Sequence, residues 1–426
     1  MDTLTMRPVP APLKEMAHTP PSLLDLKHHF DPLVARLRRT FKWYDALVTD
    51  AGFDLDHDPA RLPYINESLL TKHYYEARDP QLENCSAYYT SGTATGARKC
   101  VLYSNEDHAR YIEHRRKIFA RFLSPECKTA CSDLGTGHAA ASAVEIFAKL
   151  GIDCWHIDFR RPAREHIAIL NERRPDVLFT MPMVLDSLIH AGDLDARPHK
   201  IITVGDVVSP AWKRQIADVF SLRREDLLDV VGTIEIGSIA YECFACGLYH
   251  FDDHIIPETV GPSELYEGFP AHPTAKILVV TSLARFTFPA IRFVTNDLIE
   301  GFTMRECRGV PRYSFERMIG RVGSEFKNGE NISLYDVNEA VNTFLPASPF
   351  EVRKDDGKVT IRVCSKQFSA EIGERIKRFL KQRNPDPFQM IESSLVADIE
   401  VCNVPFAELS SARAKRFFLV QNKKTN

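Results

Sequence analysis

Thr129-Ala130-Cys131-Ser132-Asp133-Leu134 is the first of five short apolar runs that set the architecture of this chain. The others are Cys154–Ile157, Val177–Met181, Ile201–Val204 and Leu227–Val231. Between them lie segments with helical periodicity: Ala139–Leu150, Ala163–Glu172, Met183–Ala191 and Ala211–Phe220. A strand, a helix and a further strand recurring every ~25 residues imply right-handed crossovers and a mostly parallel sheet covered by helices. Such sheets take ligands at the carboxyl ends of their strands. Gly205-Asp206 and Gly232-Thr233-Ile234-Glu235 fall there.

Outward from this block the pattern changes. Residues 1–22 are proline-rich and read as an irregular arm. Ser22–Ala51 reads as helical, with Leu24, Leu33, Leu37 and Phe41 apolar between charged positions. Lys276–Val294 is strand-like and antiparallel in pattern. After Gly320-Arg321 come a strand at Lys358–Val363, an amphipathic helix at Ala370–Lys381, a strand at Leu395–Val404 and a basic tail. The expected organisation is a large α/β domain over residues 1–320, whose mostly parallel sheets are joined by an antiparallel portion. A small, mobile α+β domain over 321–426 pivots around Gly320–Ser324.

Composition narrows the function. The chain has 426 residues, 44% hydrophobic and 26% charged, as a globular protein with a large core does. A net charge of −3 makes no electrostatic case for nucleic acid or an acidic membrane. No apolar run approaches the roughly 20 residues that span a bilayer. Ten scattered cysteines read as reduced thiols, and Met1-Asp2-Thr3-Leu4 lacks a secretory layout. The expectation is a cytoplasmic enzyme.

The chemistry is suggested by Tyr88-Tyr89-Thr90-Ser91-Gly92-Thr93-Ala94-Thr95-Gly96-Ala97-Arg98-Lys99. Glycines let such a turn approach a phosphate chain, hydroxyls and N–H groups donate to it, and the basic end supplies charge. It is not the GxxxxGK[ST] loop, so that fold is not implied. A surface turn is its bland reading.

Four features stand in order: the Thr90–Gly96 turn, Gly232–Glu235 after a strand, Arg292-Phe293-Val294-Thr295-Asn296-Asp297, and Gly320-Arg321 before a small last domain. This order resembles the adenylate-forming superfamily of acyl-CoA synthetases, adenylation domains and luciferases, and within it the phenylacetate-CoA ligases and coenzyme F390 synthetases. The subgroup markers are Leu62-Pro63-Tyr64-Ile65, Leu134-Gly135-Thr136-Gly137-His138, Glu242-Cys243 leading to Gly247-Leu248-Tyr249-His250, Thr281-Ser282-Leu283 and Phe288-Pro289-Ala290-Ile291-Arg292.

The resemblance implies that a carboxylic acid, aromatic in that subgroup, attacks the α-phosphate of ATP, and that the acyl group then passes to a thiol, first of all coenzyme A. A carrier protein, an amine or a reductase is the alternative acceptor; a nucleotide-binding scaffold without catalysis is a further one. It implies that Thr90, Ser91, Gly92, Thr93, Thr95 and Gly96 hold the β- and γ-phosphates with Lys99 nearby, and that Glu235 binds Mg²⁺. Asp297 would take the ribose hydroxyls and Arg321 would lie near ribose and hinge. Gly205, Asp206, Gly232 and Thr233 would surround adenine, while Gly135, Gly137, His138, Ile236 and Gly237 would line the acyl pocket. Oligomeric state stays open, although exposed N-terminal helices would suit a homodimer.

Each residue also has a plain structural reading: Glu235 as a strand-end cap, Asp297 as a turn residue, His138 as a structural hydrogen bonder, and Phe286, Phe288 and Phe293 as core. The chain departs from the family pattern in several places. Ala94 is an extra residue in the phosphate turn and Ala97-Arg98-Lys99 lacks its proline. Val231-Gly232-Thr233-Ile234-Glu235 lacks an aromatic and a hydroxyl, and Val294 replaces a second arginine. The tail Ser410-Ser411-Ala412-Arg413-Ala414-Lys415-Arg416 offers Arg413 or Lys415 where the family carries its adenylation lysine; arginine is a wider, planar cation and not equivalent. Finally, Cys243-x₂-Cys246-x₃-His250, with Cys307 from a later segment, could hold a structural Zn²⁺ or remain free thiols.

Overall fold

The computed structural model describes residues 27–52, 59–75, 84–89, 99–134, 137–158, 161–267, 274–322, 326–328, 330–355, 358–383, 399–409 and 417–419. The expected phosphate turn Thr90–Gly96, Gly135, and the tail residues Arg413 and Lys415 lie outside them. The described residues form two compact units, one from residues 27–89, 99–114 and 233–317, the other from 115–232 and 318–419.

The second unit contains the alternating block. Strands Thr129–Asp133, Asp153–His156, Val177–Thr180, Lys200–Val204 and Leu227–Thr233 form as the apolar runs required. The pairings among these five strands are parallel. Their spatial order is 2-1-3-4-5, because Thr129–Asp133 pairs with Asp153–His156 on one side and Val177–Thr180 on the other. Chain direction across the sheet reverses at that first strand, which is where such folds open a binding crevice. Leu134 leaves the sheet at this point.

The helices Ala163–Arg173, Pro182–Ala191 and Pro210–Phe220 bury Ile167, Leu170, Leu185, Leu188, Trp212 and Ile216 against Cys131, Leu178, Ile201 and Leu227. The indole N–H of Trp212 donates to Asp186 Oδ1 at 2.7 Å, so the largest core side chain keeps its polar atom satisfied. His166 Nδ1 lies 2.9 Å from Asp133 Oδ2, both buried. Burial alone would lower the imidazole pKa; Asp133 outweighs it and raises it above the usual histidine value. That contact ties the first turns of one helix to the end of the strand that opens the crevice.

The same unit holds an antiparallel pair, Phe350–Asp355 with Lys358–Val363, flanked in parallel by Phe417–Leu419 and Glu400–Asn403. Helices Leu334–Phe344 and Ala370–Arg383 accompany it. The expected strand at Lys358–Val363 and the helix from Ala370 are present at those positions. Within the expected Leu395–Val404 strand, Glu400–Asn403 is extended and paired.

In the first unit, Ile255–Val260, Lys276–Ser282 and Phe293–Glu300 form an antiparallel sheet, as the 276–294 pattern anticipated. A second antiparallel set runs in the order Thr303–Cys307, Val310–Phe315, Tyr249–Phe251, Gly237–Glu242. The helical N-terminal segment resolves into two helices, Lys27–Thr40 and Lys42–Asp50, with Leu33, Leu37 and Phe41 buried. Phe288 and Phe293 are core residues in an edge-to-face pair at 5.3 Å. Phe286 differs: it is half-buried, with the guanidinium carbons of Arg36 and Arg110 at 3.6 and 4.7 Å from its ring.

Candidate active site and a candidate metal centre

Glu235 sits in the turn between strands Leu227–Thr233 and Gly237–Glu242. A turn leaves backbone carbonyls without ladder partners, and here side chains from distant segments take them. Tyr103 Oη donates to Ile234 O at 2.9 Å, and Arg285 Nε donates to Glu235 O at 2.8 Å. The Ile236 N–H donates to Thr233 Oγ1 at 3.2 Å. The Glu235 carboxylate accepts from Tyr75 Oη at 3.4 Å. Gly237 follows with φ +89°, and a Cβ there would come within 2.8 Å of the Tyr111 ring. Glycine is therefore required on both conformational and steric grounds.

Arg285 is itself held by a buried network. Its Nη1 pairs with Asp107 Oδ2 at 2.5 Å and its Nη2 donates to Leu102 O at 2.9 Å. Asp107 also accepts from the N–H groups of Phe286 and Thr287 and from the Thr287 hydroxyl. Both charged side chains are at most 2% exposed, so each depends on the other for compensation. Sequence reasoning missed Asp107, Arg285, Tyr103 and Tyr75. The one available signal was Arg285 itself, the only charge within Ile277–Arg292 before Arg292.

Asp297 lies on Phe293–Glu300, where the ladder breaks register: Val294 faces Val279, yet Leu298 faces Ile277. Three residues thus oppose the single Leu278. Asn296 takes φ +62°, and Thr295 Oγ1 bridges by donating to Leu278 O at 2.8 Å while accepting the Asp297 N–H at 3.0 Å. Bulges of this kind re-aim a side chain beside a site. Asp297 is a bulge residue inside a strand.

Arg292, two residues before Val294, is buried. It pairs with Glu258 at 3.0 Å and donates to Leu62 O at 2.7 Å. Ile65 then bridges to the same strand, its N–H donating to Arg292 O at 3.1 Å. The marker stretch Leu62–Ile65 is thereby anchored beside the strand that carries Asp297. Lys99 pairs with Glu67 at 2.6 Å, its ammonium 5.4 Å from the Tyr75 ring centre. Lys99, Thr233, Glu235, Ile236, Gly237 and Asp297 all belong to the first unit.

Gly137, His138, Gly205, Asp206, Gly232 and Arg321 belong to the second. His138 is buried at the first position of helix His138–Ala148, behind Gly137 at φ +122°. Gly205 takes φ +96°, and Asp206 Oδ1 accepts the Val207 N–H at 2.8 Å. The segment just after this loop is braced by helix Leu334–Phe344. Asn338 Oδ1 accepts from the Ser209 N–H at 3.2 Å, and Glu339 Oε2 from the Ala211 N–H at 2.7 Å. Arg321 is exposed at the end of strand Arg317–Arg321.

Cys243, Cys246, His250 and Cys307 converge in the first unit, with all four ligand atoms within 4.8 Å of one another. Cys243 Sγ is 3.8 Å from Cys307 Sγ, and Cys246 Sγ is 3.1 Å from His250 Nε2. The knuckle is closed by the Gly247 N–H donating to Cys243 O at 2.7 Å and the Cys243 N–H donating to Leu248 O at 2.8 Å. Tetrahedral zinc at ~2.3 Å from each sulfur needs sulfur–sulfur edges of about 3.8 Å. The donor set and spacing fit Zn²⁺. Magnesium takes one or two carboxylates plus phosphate oxygens, and Glu235 keeps one oxygen clear of its tyrosine partner, so that carboxylate fits Mg²⁺.

Comparison with known proteins adds three findings. Residues 327–407 match the family model described as fumarate–diaminopropanoate ligase C-terminal domain. The chain is 44% identical over 383 residues to fumarate–(S)-2,3-diaminopropanoate ligase of Enterobacter agglomerans, covering 90% of this chain and 96% of that one. Among solved structures it resembles 2-hydroxyisobutyryl-CoA ligase in complex with R3-HIB-AMP, with TM-score 0.72, 14% identity, and coverage of 93% of this chain and 89% of that one. Benzoate-CoA ligase from Burkholderia xenovorans LB400 follows with TM-score 0.53, 15% identity, and coverage of 82% and 71%. At such identities the structural likeness speaks for the fold. No helix among the described residues is long and apolar enough to cross a membrane.

Proposed function

We propose that this chain, which belongs to the adenylate-forming ligases and within them to the fumarate–(S)-2,3-diaminopropanoate ligase family, condenses a small dicarboxylic acid with an amine. The coarser statement, an AMP-forming acid ligase, follows from that membership. The observation that carries the finer one is the 44% identity across nine-tenths of the chain to a relative named for joining fumarate to a diamino acid. Coenzyme A and an aromatic acid, expected from the wider subgroup, give way to the amine acceptor and a fumarate-like donor.

In the first step a carboxylate oxygen attacks the α-phosphorus of ATP and pyrophosphate leaves. In the second, the amine nitrogen attacks the acyl carbon, AMP departs and the nitrogen loses a proton. The first step brings two anions together, so the site must neutralise charge and hold geometry. Thr90, Ser91, Gly92, Thr93, Thr95, Gly96 and Lys99 are assigned to the β- and γ-phosphates, and Asp297, suited by its two acceptor oxygens, to the ribose hydroxyls. Glu235 is assigned to Mg²⁺, which would neutralise phosphate charge when bound. Gly205, Asp206, Gly232 and Thr233 are assigned to adenine, with Arg321 near the ribose. Gly135, Gly137, His138, Ile236 and Gly237 are assigned to the acyl group, and Arg413 or Lys415 to the α-phosphate. Functionally the chain divides at 320/321, the later part pivoting between the two steps.

The test is direct. Pyrophosphate exchange should depend on fumarate far more than on benzoate or phenylacetate. Mass spectrometry should then find an amide when (S)-2,3-diaminopropanoate is added. A coenzyme A thioester as sole product would overturn the acceptor.

We further propose that Cys243, Cys246, His250 and Cys307 bind one structural Zn²⁺. Purified protein should carry about one equivalent by elemental analysis, and Cys246→Ser should lose most of it. A metal-free protein whose thermal midpoint does not change on adding Zn²⁺ would exclude the centre.

A further inference from the structure

We propose that Tyr75 is a positioning residue that fixes the carboxylate of Glu235 for its cation and links it to Lys99. This rests on the reading of Glu235 and Lys99 given above. The backbone clamps on the Glu235 turn hold its Cα but leave the side-chain torsions free. Tyr75 supplies what they lack: its hydroxyl donates to Glu235 Oε1 at 3.4 Å. A phenol donor on one oxygen restrains rotation and leaves the other oxygen's lone pairs for a metal. Partners of this kind orient metal ligands and tune affinity.

The segment that carries Tyr75 is unusual. Asn66 caps it by accepting the Leu69 N–H at 2.9 Å, Glu67–Leu70 makes one α-turn, and Thr71–Tyr75 widens into a π-turn. π-turns are rare and concentrate at functional sites. Through this widening two adjacent tyrosines both find inward partners. Tyr74 donates to Thr287 O at 2.8 Å in the core, and Tyr75 reaches Glu235. Lys99 then closes a row: Glu67 carboxylate at 2.6 Å, ammonium, Tyr75 ring at 5.4 Å, Glu235. Thus one short segment contacts both the basic end of the phosphate turn and the carboxylate assigned to the metal.

The test uses the full chain saturated with α,β-methylene-ATP and titrated with Mn²⁺ as the Mg²⁺ probe, read by calorimetry. Tyr75→Phe, which keeps the ring, should weaken Mn²⁺ binding about tenfold. Analogue binding in chelator and the thermal midpoint should stay unchanged. Tyr75→Leu, which also removes the ring under Lys99, should weaken the metal-free analogue as well. Unchanged Mn²⁺ affinity in Tyr75→Phe, while Glu235→Gln abolishes it, would overturn the role of Tyr75. Parallel losses of metal and metal-free analogue in Tyr75→Phe would reduce it to packing. Wild-type Mn²⁺ affinity in Glu235→Gln would remove the reading of Glu235 and this inference with it.

Discussion

Glu235→Ala should lower acid-dependent ATP–pyrophosphate exchange by roughly 10²- to 10³-fold, the loss typical of one preorganised charge in an anionic reaction. The expectation follows from how the residue is held. Its turn is fastened by Tyr103, Arg285 and Thr233 and its carboxylate is contacted by Tyr75, so on the proposed reading it would meet the nucleotide with little reorganisation. Asp297→Ala should cost less, because it removes ribose hydrogen bonds present before and during reaction. His156, exposed on strand Asp153–His156, serves as control, and His156→Ala should leave exchange near wild type. Equal losses at Glu235 and His156 would sink the site assignment.

Asp107→Ala should destabilise the protein by about 3–5 kcal/mol, because it strands a fully buried guanidinium without its counter-charge. The neighbouring Glu106, on the same helix Asn105–Phe122, offers a comparison. Its pairs with Arg36 and Arg110 lie at the surface, where an ion pair is worth about 0–1 kcal/mol. Urea unfolding should therefore separate Asp107→Ala from Glu106→Ala by several kcal/mol. Equal midpoints would show that solvent reaches Arg285. The double change Asp107→Leu with Arg285→Met should recover much of the stability, since burying neither charge avoids the desolvation penalty. It should still lose exchange, because the Glu235 carbonyl loses its donor.

The parallel block was legible because its signal is local. A buried strand needs four or five consecutive apolar residues, and Val177–Thr180 and Ile201–Val204 supply them whatever surrounds them. The clustering of Cys243, Cys246 and His250 was legible for the same reason, since the three lie within eight residues; only Cys307 needed the antiparallel register to arrive. The acid and the acceptor were not legible: the wider subgroup suggested an aromatic acid and coenzyme A, whereas the 44% identical relative is named for fumarate and a diamino acid. Shared motifs encode nucleotide handling, whereas acyl and acceptor contacts sit on separate loops where small changes switch specificity.

Sequence alone therefore determined the strand–helix alternation, the presence of Glu235 at a strand end and the membership of a superfamily, since each depends on neighbours within a few residues. Tertiary structure alone decided what holds Glu235 and how Asp297 is aimed. Asp107 and Arg285 are 178 positions apart, and Tyr75 and Glu235 are 160 apart. No local pattern marks such partners, because a buried charge or a phenol hydroxyl is satisfied by whatever the folded chain brings to it, at any separation.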